Sequence, residues 1–595
     1  MVDESQELRR VSWTELFSFT HIFKTWRMAR HYSKLVLAFA AIALTCLVGT
    51  VMDAVWGWAG ATARIPDVVN YHVTANFAAY ADKTETLQQE ADAQFVQWMT
   101  FMPQRAWEFG PVLDAYVAEG GSRAGAFHAQ LAKAIEKWQA DNTSSQPKPV
   151  DRQELVRQVD DDRRAAWSRY RKIVARMLNA AEPLVAAAAE EAEAEIEKLP
   201  KEEDRAAAAE RLERDVHAAR RALWKLRVTL IEQSRQHVFG RGIFEVFAAY
   251  EQHCIANAFD AVGQGRIFNG AGRVLLDRQS LVVLQDEPSE PTAYAVTTGR
   301  GEPVGLVGWL VLMLAGLVWL AGAHWLYALV FGVLTLSIWA LFGGAIARIA
   351  ALHAAQEIAI PMGQALRFSA GKFFSFVTAP LLMLAIIFGL GLLLGLGGLI
   401  SAIPVAGAVL RVVFALLFGL VLVIGAAITF VTIGLLAGFP LMYPAIAVEG
   451  SDSFDAISRS FSYVFGRPWR YGLYFLVSAV YGTICYAFVR LFAFGTLLAT
   501  HVFVSQGFFG LGLNTRGAPQ LAESAGMMDL LWGRPTFGDL SGTFHMAAVG
   551  GGLNLLAAWI IRAWVYVVVG FVAAFVLSFA VSAFTNIYYL LRRKV

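Results

Sequence analysis

The side chains that could carry chemistry in this chain are few, and three of them are arginines set within long apolar runs. Arg411, Arg490 and Arg562 stand in stretches that contain no carboxylate. Ionisable residues inside an apolar span are costly and commonly mark a pathway or a ligand site. Two chemistries suit them. Each guanidinium can snorkel along its own apolar stem to a headgroup layer. Alternatively the three form one basic cluster that binds a lipid phosphate or another anion. After Pro303 the carboxylates are Glu357, Glu449, Asp452, Asp455, Glu523, Asp529 and Asp539, and none lies in an apolar run. That absence argues against a proton- or sodium-coupled transporter, which relies on an acidic relay.

Other catalytic or metal-binding sets are missing from the pattern. No HExxH, GxSxG, P-loop or EF-hand spacing occurs. The 11 histidines are scattered. His253 and Cys254 are adjacent, and adjacent residues on a helix do not share a face. Cys46, Cys254 and Cys485 form neither a CxxC pair nor a disulfide framework. No catalytic residue, metal or cofactor is expected, and no enzyme class is supported. A formal net charge of +2 carries no polyanion signature, so no nucleic-acid partner is expected.

The elements around these residues are those of a membrane protein. The chain has 595 residues, 56% hydrophobic and 16% charged, with mean hydropathy +0.47. Apolar runs at 35–52, 303–322, 325–347, 374–400, 405–437, 471–499 and 547–591 are each about long enough to span a roughly 30 Å hydrocarbon core. The expected fold is all-α: a polytopic helical membrane protein with amphipathic elbow helices and a large extramembrane helical domain. The expected division is a cytoplasmic amphipathic helix at 1–34, a first span at 35–58, an extracytoplasmic helical domain at 59–300, and a polytopic membrane domain at 301–595. The first span reads as a retained signal anchor, with no small-residue cleavage site after it.

Charge sets the expected topology. Basic clusters at the N-terminus, at Arg348/Arg367/Lys372, at Arg459/Arg467/Arg470 and at Arg592/Arg593/Lys594 belong on the cytoplasmic side. If all four lie there, the number of crossings is even. The segment 303–322 is then re-entrant or interfacial, and about six crossings remain, with both termini cytoplasmic. Within 59–300, two charged helices at about 151–198 and 201–238 carry apolar stripes (Val159, Ala166, Tyr170, Met177; Leu212, Val216, Ala219, Leu223) and meet at a short turn. They predict a helical hairpin with coiled-coil-like packing, serving as a solvated stalk or a docking platform. Gly242–Arg266 reads as an amphipathic helix, and "VLLDRQSLVVLQ" as a β-hairpin or an extended flap.

The elbow at 454–470 is the most legible element. Phe454, Ile457, Phe461 and Phe465 form an apolar stripe. Asp452 caps the start, and Gly466 and Pro468 end the helix. Arg459, Arg467, Trp469 and Arg470 complete an expected membrane-interface elbow. Ser12–Lys34 and Met362–Phe373 repeat the plan. On Phe388–Leu399, Gly391 and Gly395 form a GxxxG pair that serves helix packing, within the chain or between copies. The loop 501–546 is expected to cap the outer face.

The stretch "YPAIAVEGSDSFDAISRSFSYVFGRPWRYGLYF" resembles the signature of the membrane domain attached to some bacterial glycerophosphodiester phosphodiesterases, also found in free-standing inner-membrane proteins of unknown function. The positions that match are Pro444, Glu449, Gly450, Ala456, Arg459, Ser460, Trp469 and Arg470. "FGGAIARIAAL" and "IYYLLRRKV" are also similar to this group. The resemblance covers about 325–595. It implies a bacterial inner membrane and brings no chemistry, because the phosphodiesterase activity of that family resides in a separate α/β barrel. The expected function is a non-enzymatic inner-membrane scaffold or assembly protein whose extracytoplasmic domain binds partners or other copies. The alternative is a channel or lipid/anion conduit using the glycine-rich spans and the outer arginines. The expected partners are membrane lipids together with other copies or an envelope protein.

Overall fold

The computed structural model describes residues 18–58, 60–74, 76–147, 151–277, 281–285, 294–298, 301–358, 360–401, 412, 415–416, 418–506, 528, 531–542, 544 and 553–592. The fold is helical and polytopic. Seven helices are long and apolar enough to cross a membrane: α2 Tyr32–Trp58, α13 Leu306–Ala323, α14 Trp325–Gln356, α16 Phe373–Ser401, α17 Phe418–Glu449, α19 Pro468–Gln506 and α20 Leu553–Arg592. Two compact units share the chain, and their boundary falls within α2, α14, α19 and α20.

The first unit holds residues 1–48, 330–495 and 566–595. Its helices enter through short elbows. A 3-10 turn (Ser18–Lys24) and α1 (Thr25–Ala29) precede α2. Trp26 packs its ring edge on Phe575, and Phe23 on Tyr481, with ring centroids 5.3 and 4.9 Å apart. Residues 12–17 of the expected Ser12–Lys34 elbow lie outside the described residues. The second elbow is α15 (Met362–Gly371), where the Ser369 hydroxyl donates to the Ala340 carbonyl at 2.8 Å. The third is α18 (Ser453–Gly466). Its aromatic side chains lie on α17, where Gly434 leaves room that a Cβ would take from Phe461. Phe430 stacks on Phe465 at 4.1 Å.

The second unit holds residues 49–329 and 496–565. It contains α3 (Ile65–Val73), α4 (Phe77–Trp107), α5 (Gly110–Ala118), α6 (Ala126–Asp141), α7 (Arg152–Asp161), α8 (Arg163–Glu197), α9 (Glu202–Arg227), α10 (Ser234–Phe239), α11 (Ile243–Gly263) and α12 (Ala271–Leu276). The expected hairpin is present as α7–α8 against α9–α10, with two differences. Its first arm breaks at Asp162, whose carboxylate accepts from the Ala165 amide at 3.0 Å and caps α8, as a short acidic side chain does at a helix start. Its second arm passes through a π-helical turn at Val228–Gln233. Pro183 is accommodated within the unbroken α8. The hairpin stripe is also not free. Tyr170, Val174, Met177, Ala219 and Leu223 share one core with Phe95, Met99, Phe109, Tyr116, Phe127 and Leu131 from α4, α5 and α6. The stripes form one wall of a multi-helix bundle.

The segment "VLLDRQSLVVLQ" divides. Val274–Leu276 ends α12, and β1 (Leu281–Gln285) pairs antiparallel with β2 (Tyr294–Thr298), Val283 opposite Val296. Helix α11 buries Ile243, Val246, Tyr250, Cys254, Ala258 and Ala261, whereas Ile255 and Phe259 are exposed. The expected amphipathic helix is present, and its apolar side chains are not confined to the buried face. Apolar side chains occur around most of α11, and its long contact with α13 decides which of them are covered.

Candidate functional site

The best-defined polar constellation lies where α17 hands over to the third elbow, entirely within the first unit. α17 ends at Glu449, and Gly450 follows at φ +66, a left-handed conformation suited to glycine. Asp452 then caps α18 by accepting from the Asp455 amide at 2.9 Å, as its position in the sequence predicts. This turn points the nearly buried Glu449 carboxylate back at three donors. Arg459 reaches Oε2 at 2.5 Å, the Tyr588 hydroxyl donates to Oε1 at 2.7 Å, and Arg592 stands 3.6 Å from Oε1. The Nε of Arg459 also bonds Asp455 at 2.8 and 2.9 Å. One carboxylate thus ties together the end of α17, the elbow α18 and the last turns of α20. A carboxylate of α17 held by two arginines and a phenol of α18 and α20 acts as a joint between the three elements.

The other elbow residues divide between joint and surface. Arg467 donates to the Leu591 carbonyl at 2.8 Å, a second tie to α20. Ile457 is buried, and Phe461 and Phe465 pack on α17. Phe454 and Arg470 are exposed, and Trp469 is 90% exposed. Of the expected interface elbow, Arg459 and Arg467 bond within the protein, and Arg470, Trp469 and Phe454 are exposed.

Two of the three arginines of the apolar runs are described, one in each unit. Arg411 lies outside the described residues. Arg490 belongs to the first unit and donates to the Tyr486 hydroxyl at 2.6 Å. Arg562 belongs to the second, above the rings of Trp559 and Phe544 at 5.3 and 5.7 Å. An aromatic face and a phenol oxygen give each guanidinium a local cation–π or hydrogen-bond partner. Most of the 501–546 loop lies outside the described residues. Among the described residues, Gly391 and Gly395 have no heavy atom within 4 Å of where a Cβ would stand, apart from α16's own backbone.

Several polar residues carry structural roles that sequence reasoning missed. Lys34 at the start of α2 is fully buried and donates to Ser582 at 2.9 Å. Asp53 accepts from the amides of Phe244 and Glu245 at 2.8 and 3.0 Å and from the Tyr327 hydroxyl at 2.8 Å, so it caps α11 from the end of α2. Glu251 of α11 faces the α13 backbone at Gly316, where an added Cβ would lie 2.4 Å from Oε1. That oxygen is buried without a hydrogen-bond partner, and burial pushes the carboxyl up to about 7. Burial likewise pushes Asp67 on α3 up to about 6. The roles of Lys34 and Asp53 were not legible beforehand, because Ser582, Phe244 and Tyr327 lie far along the chain. Among the described residues, no group of three or more His, Cys, Asp or Glu is placed to hold a metal ion.

The chain is thus a multi-pass helical membrane protein whose first unit is laced together at its elbows. No family model matches it, and no match was found among curated proteins or solved structures.

Proposed function

We propose that the chain is a non-enzymatic scaffold or assembly protein of a bacterial inner membrane, working as several copies or with an envelope protein. Residues 59–300 lie outside the cytoplasm in this reading, and both termini lie within it. The observation that carries the reading is the open glycine seam of α16. In hydrocarbon, helices associate through close backbone approach at small residues, because burial of apolar surface gives no advantage over lipid. Gly391 and Gly395 offer such an approach, and none of the described residues takes it. The neighbouring α17 has the least buried apolar window of the seven candidate spans, at 6%. The second unit supports the same role, since its helices close a core of their own and present a rigid charged surface to partners.

The reading retains six crossings, with 303–322 lying against the extramembrane helices. Helix α13 is the shortest candidate span, 18 residues or about 27 Å. Two hydrogen bonds tie it to those helices, while its Leu310, Leu314, Leu317 and Val318 are exposed. The Tyr250 hydroxyl donates to the Leu312 carbonyl at 2.9 Å, and the Trp319 indole donates to the Tyr80 hydroxyl at 3.1 Å. The test is the mass of the purified G391L/G395L variant in lipid nanodiscs, compared with the wild type. Loss of copies in the variant supports the reading. An unchanged multi-copy mass places the interface elsewhere and removes its principal support.

A further inference from the structure

A cavity of about 300 Å³ opens in the first unit between the N-terminal elbow, the end of α14 and the last turns of α20. That size is at the lower end for small-molecule sites. Lys24 and Arg27 line it from the elbow, His353 and Glu357 from the end of α14, and Asn586 and Tyr589 from α20. Two cationic heads converge on one point: Lys24 Nζ and Arg27 Nη2 stand 3.6 and 3.2 Å from the same oxygen of Glu357. The Glu357 carboxylate therefore marks where an anion sits between them.

Glu357 is a weakly held occupant. Its side chain is 61% exposed, those of Lys24 and Arg27 are 56% exposed, and exposed ion pairs contribute little. Its backbone is at φ +57, a left-handed conformation unfavourable for glutamate. A separate observation is a pair of unmatched polar atoms at this cavity. His353 has a buried Nδ1 without a hydrogen-bond partner, as does His31, whose ring centroid is 5.9 Å away. The Asn586 amide is already committed to the Thr25 hydroxyl at 2.9 Å and the Tyr589 hydroxyl to the Ala351 carbonyl at 3.2 Å, which fixes the cavity wall.

We propose that this cavity binds a phosphate group and that Glu357 is a built-in occupant which the phosphate displaces. A phosphate offers several acceptor oxygens, enough for Lys24, Arg27 and the neighbouring imidazole together, where a carboxylate offers two. Charge-assisted bonds of this kind are among the stronger polar contacts. The phosphate comes from a lipid headgroup or from a soluble phosphate ester. The site is separate from the α16 seam, so it holds whether or not the chain self-associates.

The test uses the full chain in nanodiscs. In phosphatidylcholine discs, inorganic phosphate and glycerol 3-phosphate are titrated by calorimetry. In discs doped with phosphatidic acid, retained lipid is counted by native mass spectrometry. Saturable binding of the soluble probes assigns a soluble source, and retention of phosphatidic acid alone assigns the headgroup. In either arm K24Q/R27Q weakens binding about tenfold or more, the loss of at least one charge-assisted bond. E357Q tightens it several-fold, an effect of opposite sign that a folding defect does not produce. No saturable binding in either arm overturns the proposal, as does binding that both variants leave unchanged.

Discussion

Replacing Glu449 with glutamine tests the elbow joint most sharply. The glutamine has the same shape but loses the charge and turns an NH2 group toward a donor. The Glu449 side chain is 12% exposed and that of Arg459 38%, so their contact at 2.5 Å is partly shielded from water. A charge-assisted hydrogen bond of this kind contributes about 1.5–3 kcal/mol. The Arg592 pair, at 3.6 Å and 50% exposed on the arginine side, adds little. The expected loss is about 2–3 kcal/mol. At roughly 2–4 °C per kcal/mol for a unit of this size, the midpoint falls by about 4–12 °C. Asp455→Asn is the internal control, because its i,i+4 pair with Arg459 is 40% exposed on the aspartate side and contributes about 0.3–0.5 kcal/mol. The assay is thermal unfolding followed by a thiol-reactive dye with Cys485 as the sole cysteine, since that thiol is buried in the same unit. Midpoints for E449Q and D455N within a degree of each other would refute the joint.

Gly434→Ala forces a methyl to within 2.2 Å of the Phe461 ring position. It should cost about 1–3 kcal/mol as overpacking, read by the same Cys485 reporter, whereas Gly466→Ala, with open space around it, should be tolerated there. Glu251 gives a pH signature. Its carboxyl ordinarily titrates near 4.5 and is pushed up to about 7 in the fold by burial. The folded state therefore holds the proton more tightly than the unfolded chain. Stability is greatest below about pH 4.5, falls as pH rises toward 7, and is level above that. Allowing for its partial access to water, the span is about 1–2 kcal/mol. The slope of thermal midpoint against pH, followed by near-ultraviolet circular dichroism, should shrink in E251Q. Asp67, raised to about 6 with the same sign, should leave a residual slope. An unaltered slope in E251Q would contradict the assignment.

What the sequence revealed depended on how local its cause was. The third elbow was legible because its cap, stripe and stop all fall within Asp452–Pro468, and the structure has Asp452 capping the Asp455 amide. The partners of Arg459 were not, because Glu449 is ten residues upstream across a left-handed glycine and Tyr588 lies on the last helix. Both hairpin arms were legible from their stripes. Their burial against Phe95, Tyr116 and Phe127 was not, because α4–α6 carry no periodicity that names α8 as a neighbour. The basic character of the N-terminal elbow was plain in Lys24 and Arg27. That both would face Glu357 across a cavity depended on where α14 ends.

The central claim, that the chain is an assembling scaffold, is tested most directly by the mass of the wild-type protein in lipid nanodiscs after mild extraction, with identification of every co-purifying chain. The account predicts two or more copies, or one copy with a stable protein partner. A single chain with no protein partner would contradict it.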